Sequence, residues 1–360
     1  MDKMFMAEAL NLAAKGLGLT SPNPLVGAVL VRNGRIVGRG YHRRFGGAHA
    51  ETEAIRAAGS AAKGAALYVT MEPCCFEGKT PACTETIAAA GIKTVYAATL
   101  DPNPKVNGQG ISCLRAAGIR TSVGMMAAAA RRLNEAYFTF MEEHRPFVVL
   151  KVAVSLDGMM ATGSGESMWI TGEQARRFGQ ELRRAADAVV VGVNTVMTDN
   201  PRLTCRILKR KRLLRVVLDS ELRLDPERRL FSEPGEVLVF TASSNRQRRQ
   251  RLERAGAQVI SVRLQAKGRI HWQDILAELY RRQVMSVLIE GGATVVSSAL
   301  EAGVVDKAYV LHAPKIIGPG RLFSQGISPR RLDSAIVLGD VKHTVLGSDV
   351  LTEGYVYRIG

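Results

Sequence analysis

The stretch His49-Ala50-Glu51, followed by Cys74 and then by Cys83, decides how this chain is organised. It supplies one imidazole and two thiols, which are ligands that zinc commonly takes in proteins. Three protein ligands leave the fourth tetrahedral position open for water, whereas a structural zinc site uses four protein ligands. We therefore expect His49, Cys74 and Cys83 to bind one catalytic zinc ion.

Glu51 follows His49 by two residues, so on a helix its carboxylate lies beside the open zinc position without binding the metal. A proton shuttle belongs at that position. An H-x-E sequence followed by Pro-Cys and a further Cys resembles the signature of zinc deaminases, whose glutamate moves protons between water and the leaving amine. The alternative is a surface histidine with unrelated buried thiols, and the compound spacing argues against it. Glu51 is the predicted catalytic residue.

Length and composition are typical of a globular protein with more than one domain. The chain has 360 residues, of which 46% are hydrophobic and 23% are charged. At about 100 to 200 residues per domain, this length predicts two domains. No segment approaches the roughly 20 uninterrupted apolar residues of a membrane helix, and the N-terminal stretch has the pattern of an amphipathic helix, not of a signal peptide. We expect a cytoplasmic protein with no membrane partner.

The five cysteines raise the question of a disulfide framework, and the net charge of +16 raises the question of nucleic-acid binding. An odd and scattered set of thiols is unsuited to a disulfide framework, so Cys113 and Cys205 are expected to be small core residues. The basic excess is spread over both halves of the chain, with runs at 206–215 and 246–254. No aromatic RNA-binding motif accompanies these runs. We therefore interpret them as solvated surfaces and expect no nucleic-acid partner.

Strand and helix patterns alternate through the first part of the chain, which predicts a three-layer α/β/α domain. Asn33-Gly34 predicts a tight hairpin turn between the first two strands. The H-x-E motif is expected on the first turn of a helix over 49–58, and Cys83 opens a later helix. One long helix is predicted over 126–143.

The boundary between the two domains is expected near His144-Arg145-Pro146, after which the strand pattern restarts. This divides the chain into residues 1–145, a zinc-dependent deaminase domain, and residues 146–360, a second α/β domain. In the second domain, an apolar strand ends in Glu290-Gly291-Gly292 and a helix follows. Such a junction lets backbone amides at a helix N-terminus approach a pyrophosphate, although ordinary turns also use it.

Motifs along nearly the whole chain resemble those of the bifunctional riboflavin-biosynthesis deaminase/reductase family. Eight residues separate Cys74 from Cys83, which matches this family, where many deaminases have two. The motifs in the first half are Ser21-Pro22-Asn23-Pro24, Val26-Gly27, Glu72-Pro73-Cys74, Gly78-Lys79-Thr80-Pro81 and Asp101-Pro102-Asn103-Pro104. The motifs in the second half are Ser155-Leu156-Asp157-Gly158, Gly165-Glu166-Ser167, Trp169-Ile170-Thr171, Asp199-Asn200-Pro201 and Glu290-Gly291-Gly292.

The resemblance implies two reactions. A cytidine-deaminase-like first domain would deaminate a phosphoribosylaminopyrimidine with zinc, and a dihydrofolate-reductase-like second domain would reduce the ribose to ribityl with NADPH. It implies Asn23 as a contact of the pyrimidine, although an asparagine that caps its own turn fits the sequence equally well. It places NADPH at Ala153, Trp169, Thr195, Asp199 and Gly292. It places the phosphorylated substrate at Ser167, Arg183, Leu203, Arg206 and Glu290.

Some of these residues also have simpler interpretations. Arg183 and Arg206 suit a phosphate by charge and fork geometry, but both belong to local runs of basic residues. Trp169 is equally acceptable as a core aromatic. Asp199 and Glu290 are the candidate proton donors for hydride transfer.

Two positions depart from the family pattern. The family usually has Pro-Cys-Ser-His where this chain has Pro73-Cys74-Cys75-Phe76. Phe76 cannot make the polar contact of a histidine, and Cys75 places a second thiol beside the expected ligand Cys74. Met159 stands where the family often carries a basic residue, which weakens a phosphate role for that loop.

The sequence thus leaves three functions open. The first is a two-step enzyme that acts on a small phosphorylated pyrimidine, with a homo-oligomer as the expected assembly. The second is a nucleic-acid or nucleotide deaminase with an accessory domain, which the charge favours and the cysteine interval opposes. The third is a one-step enzyme with one inactive site, which Phe76 favours and the intact zinc set opposes.

Overall fold

The computed structural model describes residues 2–78, 81–265, 268–329 and 331–357. The chain divides into two compact units, Met1–His144 and Arg145–Gly360. Of the motifs quoted above, Lys79 and Thr80 lie outside the described residues. In the part of the chain that is described, no helix is both long enough and apolar enough to cross a membrane.

A five-stranded sheet forms the centre of the first unit. Its strands are β1 (Gly27–Arg32), β2 (Arg35–Tyr41), β3 (Ala66–Val69), β4 (Thr94–Ala97) and β5 (Arg120–Val123). The spatial order is β2-β1-β3-β4-β5, with β1 antiparallel to both neighbours and the remaining pairs parallel. Asn33 and Gly34 both have positive φ between β1 and β2, so the predicted tight turn is confirmed.

Helices cover both faces of this sheet. They are α1 (Asp2–Ala14), α2 (Ala50–Ala58), α3 (Cys83–Ala89), α4 (Gln109–Ala116), α5 (Ala127–Leu133) and α6 (Glu135–Glu143). On one face α1 and α5 pack against Val29 and Tyr68. On the other face α2, α3 and α4 pack against Leu30 and Val69. Successive strand residues point to opposite faces, which produces the three layers that the sequence predicted.

The prediction of one long helix over 126–143 is wrong, because the helix is interrupted at Asn134. The side chain of Asn134 is buried and pairs with both backbone groups of Leu25: Leu25 N donates to Oδ1 at 2.7 Å, and Nδ2 donates to Leu25 O at 3.0 Å. Its backbone leaves the helical region, with φ −112° and ψ 24°. A side chain engaged by a distant segment gives no signal in a local helical pattern.

A nine-stranded sheet forms the centre of the second unit. The strands of this unit are β6 (Phe147–Val154), β7 (Met159–Thr162), β8 (Ala188–Gly192), β9 (Leu214–Leu218), β10 (Val237–Thr241), β11 (Ala257–Ser261), β12 (Ser286–Gly291), β13 (Lys307–His312), β14 (Gly320–Leu322), β15 (Val337–Leu346) and β16 (Asp349–Tyr357). The order is β11-β10-β9-β8-β12-β6-β13-β16-β15, and β7 pairs separately with β14. The strands from β11 to β13 run parallel, whereas β16 and β15 are antiparallel additions.

Helices also flank this second sheet. They are α7 (Glu173–Ala185), α8 (Val193–Asp199), α9 (Arg229–Ser232), α10 (Arg246–Arg254), α11 (Trp272–Arg281) and α12 (Ala293–Glu301). Trp272 of α11 and Val296 of α12 belong to one core cluster, while Leu230 of α9 and Leu252 of α10 belong to another. The carboxyl ends of the parallel strands lead into α8 and α12, which is where α/β folds bind ligands.

Two expectations about single residues need correction. Cys205 is buried as predicted, but Cys113 is exposed, because it lies on the solvent side of α4. The basic run 206–215 is not only a solvated surface. Arg215 is 1% exposed and donates to the backbone carbonyl oxygens of Leu230 and Gly235, so it ties a loop to the sheet.

Candidate active sites

Three separate elements bring the predicted metal ligands together. His49 is the residue that precedes α2, Cys74 lies in the loop after β3, and Cys83 is the first residue of α3. The loop is held in place because Thr84 N donates to Cys74 O at 3.1 Å. The three side chains therefore meet beside the ends of two helices.

The ligand atoms form one compact group. His49 Nδ1 lies 3.1 Å from Cys83 Sγ and 3.5 Å from Cys74 Sγ, and Cys83 N donates to Cys74 Sγ at 3.4 Å. All three ligand atoms lie within 4.8 Å of one another. One imidazole nitrogen and two sulfur atoms at this spacing fit a zinc ion with one open coordination position.

Electrostatics support the same donor set. The thiol of Cys83 donates to Cys74 and holds the pKa of Cys74 well below its usual range, although burial opposes this. The same contact, together with burial, raises the pKa of Cys83. A hydrogen bond with Cys74 raises the pKa of His49. A thiolate beside a thiol and an imidazole is suited to a metal cation, since zinc binding releases the remaining protons.

Glu51 lies in the first turn of α2 and is only 3% exposed. Its side chain lines a cavity of about 220 Å³ together with His49 and Cys74. Burial raises the pKa of Glu51 to about 7, although the nearby His49 opposes the shift. A carboxyl group with a pKa near neutrality is well matched to taking up and releasing a proton at physiological pH.

The rest of this cavity includes Asn23 and Phe76, which the sequence analysis discussed, and His42, which it did not. Asn23 lines it, and Asn23 Nδ2 lies 3.1 Å from His42 Nε2, so its side-chain amide contacts a residue outside its own turn. His42 is held in turn by a contact of 3.0 Å between Nδ1 and Ala48 O. No motif in the sequence marked His42, which ends up in the cavity because β2 leads into it. Phe76 lies at the cavity edge and is 40% exposed.

A much larger cavity, of about 1330 Å³, lies in the second unit. It contains all ten residues that the resemblance assigned to NADPH and the phosphorylated substrate, namely Ala153, Ser167, Trp169, Arg183, Thr195, Asp199, Leu203, Arg206, Glu290 and Gly292. The sequence places these residues on β6, α7, α8, β12 and the intervening loops. The fold brings them to one site.

A charged group forms the floor of this cavity. Arg183 Nε and Nη2 donate to Glu290 Oε1 and Oε2 at 2.7 and 2.6 Å, and Arg183 Nη1 donates to Thr204 O at 3.0 Å. Two nitrogens of the Arg183 guanidinium therefore donate to a carboxylate, which leaves Arg183 fewer donors for a phosphate. Burial opposes ionisation of Glu290, yet its pKa is lowered because Arg183 and Lys151 outweigh burial.

Lys151 is a lining residue that the sequence analysis missed. Burial lowers the pKa of Lys151, and the nearby Glu290 partly offsets this effect. The sequence does contain a feature that could have identified Lys151: it is the single charged residue in the apolar strand β6. An ionisable group inside a buried strand needs a partner or a function.

The junction between β12 and α12 lies close to Thr195 of α8. Gly292 has a φ of 79°, and a Cβ added to Gly291 or Gly292 would lie 3.3 or 3.2 Å from the side chain of Thr195. The glycines thus let this junction pack closely against Thr195 of α8, and the junction leads into a helix N-terminus, the kind of site that binds phosphate groups in other proteins. Trp169 is 61% exposed and its ring centroid lies 4.8 Å from the guanidinium carbon of Arg176, so its interpretation as a core aromatic is wrong.

Comparisons with known protein families match both units. Residues 1–99 match the cytidine and deoxycytidylate deaminase zinc-binding region, and residues 146–352 match the RibD C-terminal domain. The chain is 42% identical to riboflavin biosynthesis protein RibD of Aquifex aeolicus over 98% of this chain and 97% of that protein. It is 40% identical to the protein of the same name from Escherichia coli over 88% of this chain and 89% of that one.

Solved structures give the same result. A diaminohydroxyphosphoribosylaminopyrimidine deaminase/5-amino-6-(5-phosphoribosylamino)uracil reductase from Thermotoga maritima is 38% identical, with a TM-score of 0.86 over 99% of this chain and 98% of that one. RibD of Acinetobacter baumannii is 35% identical, with a TM-score of 0.89 over 99% of both chains.

Proposed function

The chain belongs to the family of bifunctional riboflavin-biosynthesis deaminase/reductases, and from this premise we propose how its residues divide the two reactions. The enzyme combines a cytidine-deaminase-like fold that uses zinc with a dihydrofolate-reductase-like fold that uses NADPH. We assign deamination to a domain of residues 1–145 and reduction to a domain of residues 146–360. The division into compact units after His144 supports this assignment.

The proposed substrate is the phosphorylated diaminopyrimidine after which the related Thermotoga maritima enzyme is named. Deamination replaces the ring amine by a carbonyl and releases ammonia. Reduction then converts the ribose of the resulting phosphoribosylaminouracil to a ribityl chain. The observation that carries this proposal is that each unit brings its own predicted residues together: the three metal ligands lie within 4.8 Å of one another, and the ten predicted reductase residues line one cavity.

In the deaminase, His49, Cys74 and Cys83 would hold the zinc ion. Zinc bound there supplies a Lewis acid that lowers the pKa of water. Glu51 accepts a proton from the attacking water on its carboxylate and delivers it to the departing amine. Burial raises the pKa of the Glu51 carboxyl group, which favours its taking up a proton. Asn23, oriented by His42, binds the pyrimidine edge.

In the reductase, the proposed NADPH contacts are Ala153, Trp169, Thr195, Asp199 and Gly292, and the proposed substrate contacts are Ser167, Arg183, Leu203, Arg206 and Glu290. NADPH supplies the hydride. Arg206 and Lys151 bring positive charge to a phosphorylated ligand. Of the two candidate proton donors, Asp199 is favoured because burial raises its pKa, whereas Arg183 engages both oxygens of Glu290 and the pKa of Glu290 is lowered.

The test is to supply the phosphoribosyl diaminopyrimidine and to follow ammonia release and NADPH consumption together. We expect both signals from the wild type. Glu51→Gln should retain zinc and lose about 10²- to 10⁴-fold in deamination, because the shuttle acts in the transition state. The same variant should still oxidise NADPH when the deaminated substrate is supplied.

The matched control is Glu53→Gln, which changes a carboxylate on the same helix that pairs with Arg56 at the surface. It should retain ammonia release. Deamination by Glu51→Gln at the wild-type rate would show that Glu51 is not the proton shuttle. Absence of NADPH oxidation by the wild type with the deaminated substrate would reject the reductase assignment.

We further propose a cytoplasmic homo-oligomer that acts on a small molecule and not on nucleic acid. The five free thiols support a reducing compartment. The small phosphorylated pyrimidine after which the related Thermotoga maritima enzyme is named supports the substrate class. Light scattering of the purified protein tests the assembly, and a deamination assay on single-stranded DNA and RNA tests the excluded substrates.

A further inference from the structure

Glu72 is a buried carboxylate that the mechanism above does not use. It lies two residues before Cys74 and is 4% exposed. Its Oε2 accepts hydrogen bonds from Asp101 N at 3.2 Å and Gly108 N at 2.9 Å, and its Oε1 accepts one from Ile111 N at 2.9 Å. One side chain thus binds three backbone amides of a single segment, 101–111.

The segment 101–111 forms a wall of the deaminase cavity. Asp101, Asn103 and Val106 all line that cavity. Asp101 is fixed within the wall, because its Oδ1 accepts from Asn103 N and from Tyr137 Oη, each at 2.9 Å. Glu72 therefore connects the loop that carries Cys74 to the wall that faces a bound pyrimidine.

Gly110 shows how closely the two segments meet. A Cβ added at this position would lie 2.1 Å from Pro73 O and 3.1 Å from both Cγ and Oε1 of Glu72. Real Cβ atoms do not approach other atoms as closely as 2.1 Å, so no side chain fits between the segments without a backbone shift. Two features maintain this contact: the hydrogen bonds that Glu72 accepts, and the lack of a Cβ at Gly110.

We propose that Glu72 is a positioning residue of the deaminase, whose carboxylate holds the wall 101–111 at a fixed distance from the zinc ligand Cys74. A carboxylate suits this task because both of its oxygens accept hydrogen bonds and its charge is favourable at the N-terminus of α4. A glutamine has one acceptor oxygen and presents an amide donor to the remaining backbone N–H groups. The proposal rests on the deaminase function proposed above.

The test compares Glu72→Gln with the wild type in the full-length zinc enzyme. The measurements are kcat and KM for ammonia release from the phosphoribosyl diaminopyrimidine, zinc per chain, and NADPH oxidation with the deaminated substrate. We expect a fall of about 10- to 100-fold in kcat/KM for deamination, as is typical when a supporting residue is lost. The loss should fall mainly on KM, because the wall contacts the substrate in the ground state and transition state alike.

Zinc content and NADPH oxidation should remain at the wild-type level. The control is Glu85→Gln, which changes an exposed carboxylate on α3 and should leave every value unchanged. Wild-type kcat/KM in Glu72→Gln, or a loss of zinc in proportion to activity, would overturn the proposal. Failure of the wild type and of the control to release ammonia would instead reject the deaminase function itself.

Gly110→Ala provides a second variant, because its Cβ would press on Pro73 O and on the Glu72 side chain and so separate the same two segments while the carboxylate is retained. If Glu72 acts through this contact, the double variant should lose little more kcat/KM than the stronger single variant, since residues in one network are not additive. Losses that multiply in the double variant would show that the two residues act separately, and would overturn the proposal even if Glu72→Gln is poorly folded.

Discussion

Phe76 gives the deaminase cavity an apolar edge. It lies beside the zinc-binding loop, lines the same cavity as Glu51, and is accompanied there by Phe45. Both rings are partly exposed, at 40% and 43%. An aromatic face at this position can stack on a pyrimidine. Such stacking needs no hydrogen-bond donor, unlike the polar contact of the histidine that the family usually has there.

Substituting this ring tests its contribution to binding. Phe76→Ala should raise KM for the diaminopyrimidine about tenfold, since stacking of a base on an aromatic side chain contributes about 1–3 kcal/mol. Zinc content should stay constant, because the ring is not a ligand. Steady-state kinetics of ammonia release provide the measurement, with the exposed neighbour Glu77→Ala as control. An unchanged KM would contradict stacking.

Glu290 gives the reductase unit an acid-sensitive contact. Its pKa is lowered in the folded protein because Arg183 and Lys151 outweigh burial. A carboxylate with a lowered folded pKa contributes stability above its unfolded pKa of about 4.5. That stability is lost as the pH falls through the lower folded pKa. The unit should therefore lose stability on the acid side of the ordinary carboxyl range.

Glu290→Gln should reduce the free energy of unfolding by about 3–5 kcal/mol at neutral pH, because it leaves the buried Arg183 without its partner. The dependence of stability on acid pH should also become shallower. Urea unfolding at several pH values, monitored by the fluorescence of the second unit, measures both effects. The exposed Glu227→Gln serves as control. Equal pH slopes in variant and wild type would show that Glu290 is not the titrating group.

At the level of elements, the packing of α2 on β2 positions His49, the predicted metal ligand, and Glu51, the predicted proton shuttle. A Cβ added to Gly38 would lie 2.3 Å from Ala54 O, and one added to Gly40 would lie 2.2 Å from Ala50 O. The glycines of β2 let the helix backbone rest directly on the strand. His49 precedes that helix and Glu51 lies in its first turn, so the depth of this contact sets the position of both side chains.

Gly40→Ala should displace the start of α2 and therefore lower zinc content and ammonia release together. Overpacking of this kind costs about 1–3 kcal/mol of stability. Metal analysis and the ammonia assay provide the measurement, and NADPH oxidation by the second unit should persist. Arg39→Ala, a surface change on the same strand, is the control and should stay within about 0.5 kcal/mol of wild type. Full zinc content in Gly40→Ala would refute the proposed role of this packing.

At the level of the whole molecule, each unit contains its own sheet, its own core and its own cavity. The predicted zinc ligands and the predicted NADPH contacts fall in different units. All predicted residues of each cavity belong to the unit that contains it. We therefore expect that one reaction can be lost while the other continues.

Removal of zinc should consequently abolish one activity and leave the other. After treatment with a chelator, ammonia release should fall to background, while NADPH oxidation with the deaminated substrate should continue at the untreated rate. Added zinc should restore ammonia release. Parallel loss of both activities on chelation would show that the metal supports the reductase unit as well.

The sequence by itself determined features that depend on local pattern and on spacing. Alternating apolar segments predicted the layered α/β fold, and Asn33-Gly34 predicted the hairpin. The compound spacing of His49, Cys74 and Cys83 predicted a group that the structure brings together. The roles of these residues in catalysis stay predictions, because geometry alone does not measure a reaction.

Only the tertiary structure decided the features that depend on contacts between distant segments. The break at Asn134 comes from its pairing with Leu25, and the buried Arg215 is satisfied by the carbonyl oxygens of Leu230 in α9 and of Gly235 in the loop after it. The three hydrogen bonds of Glu72 likewise reach residues about 30 to 40 positions away. A polar side chain shows its chemistry in the sequence, but its partner is chosen by the packing of strands and helices, and that partner decides what the side chain does.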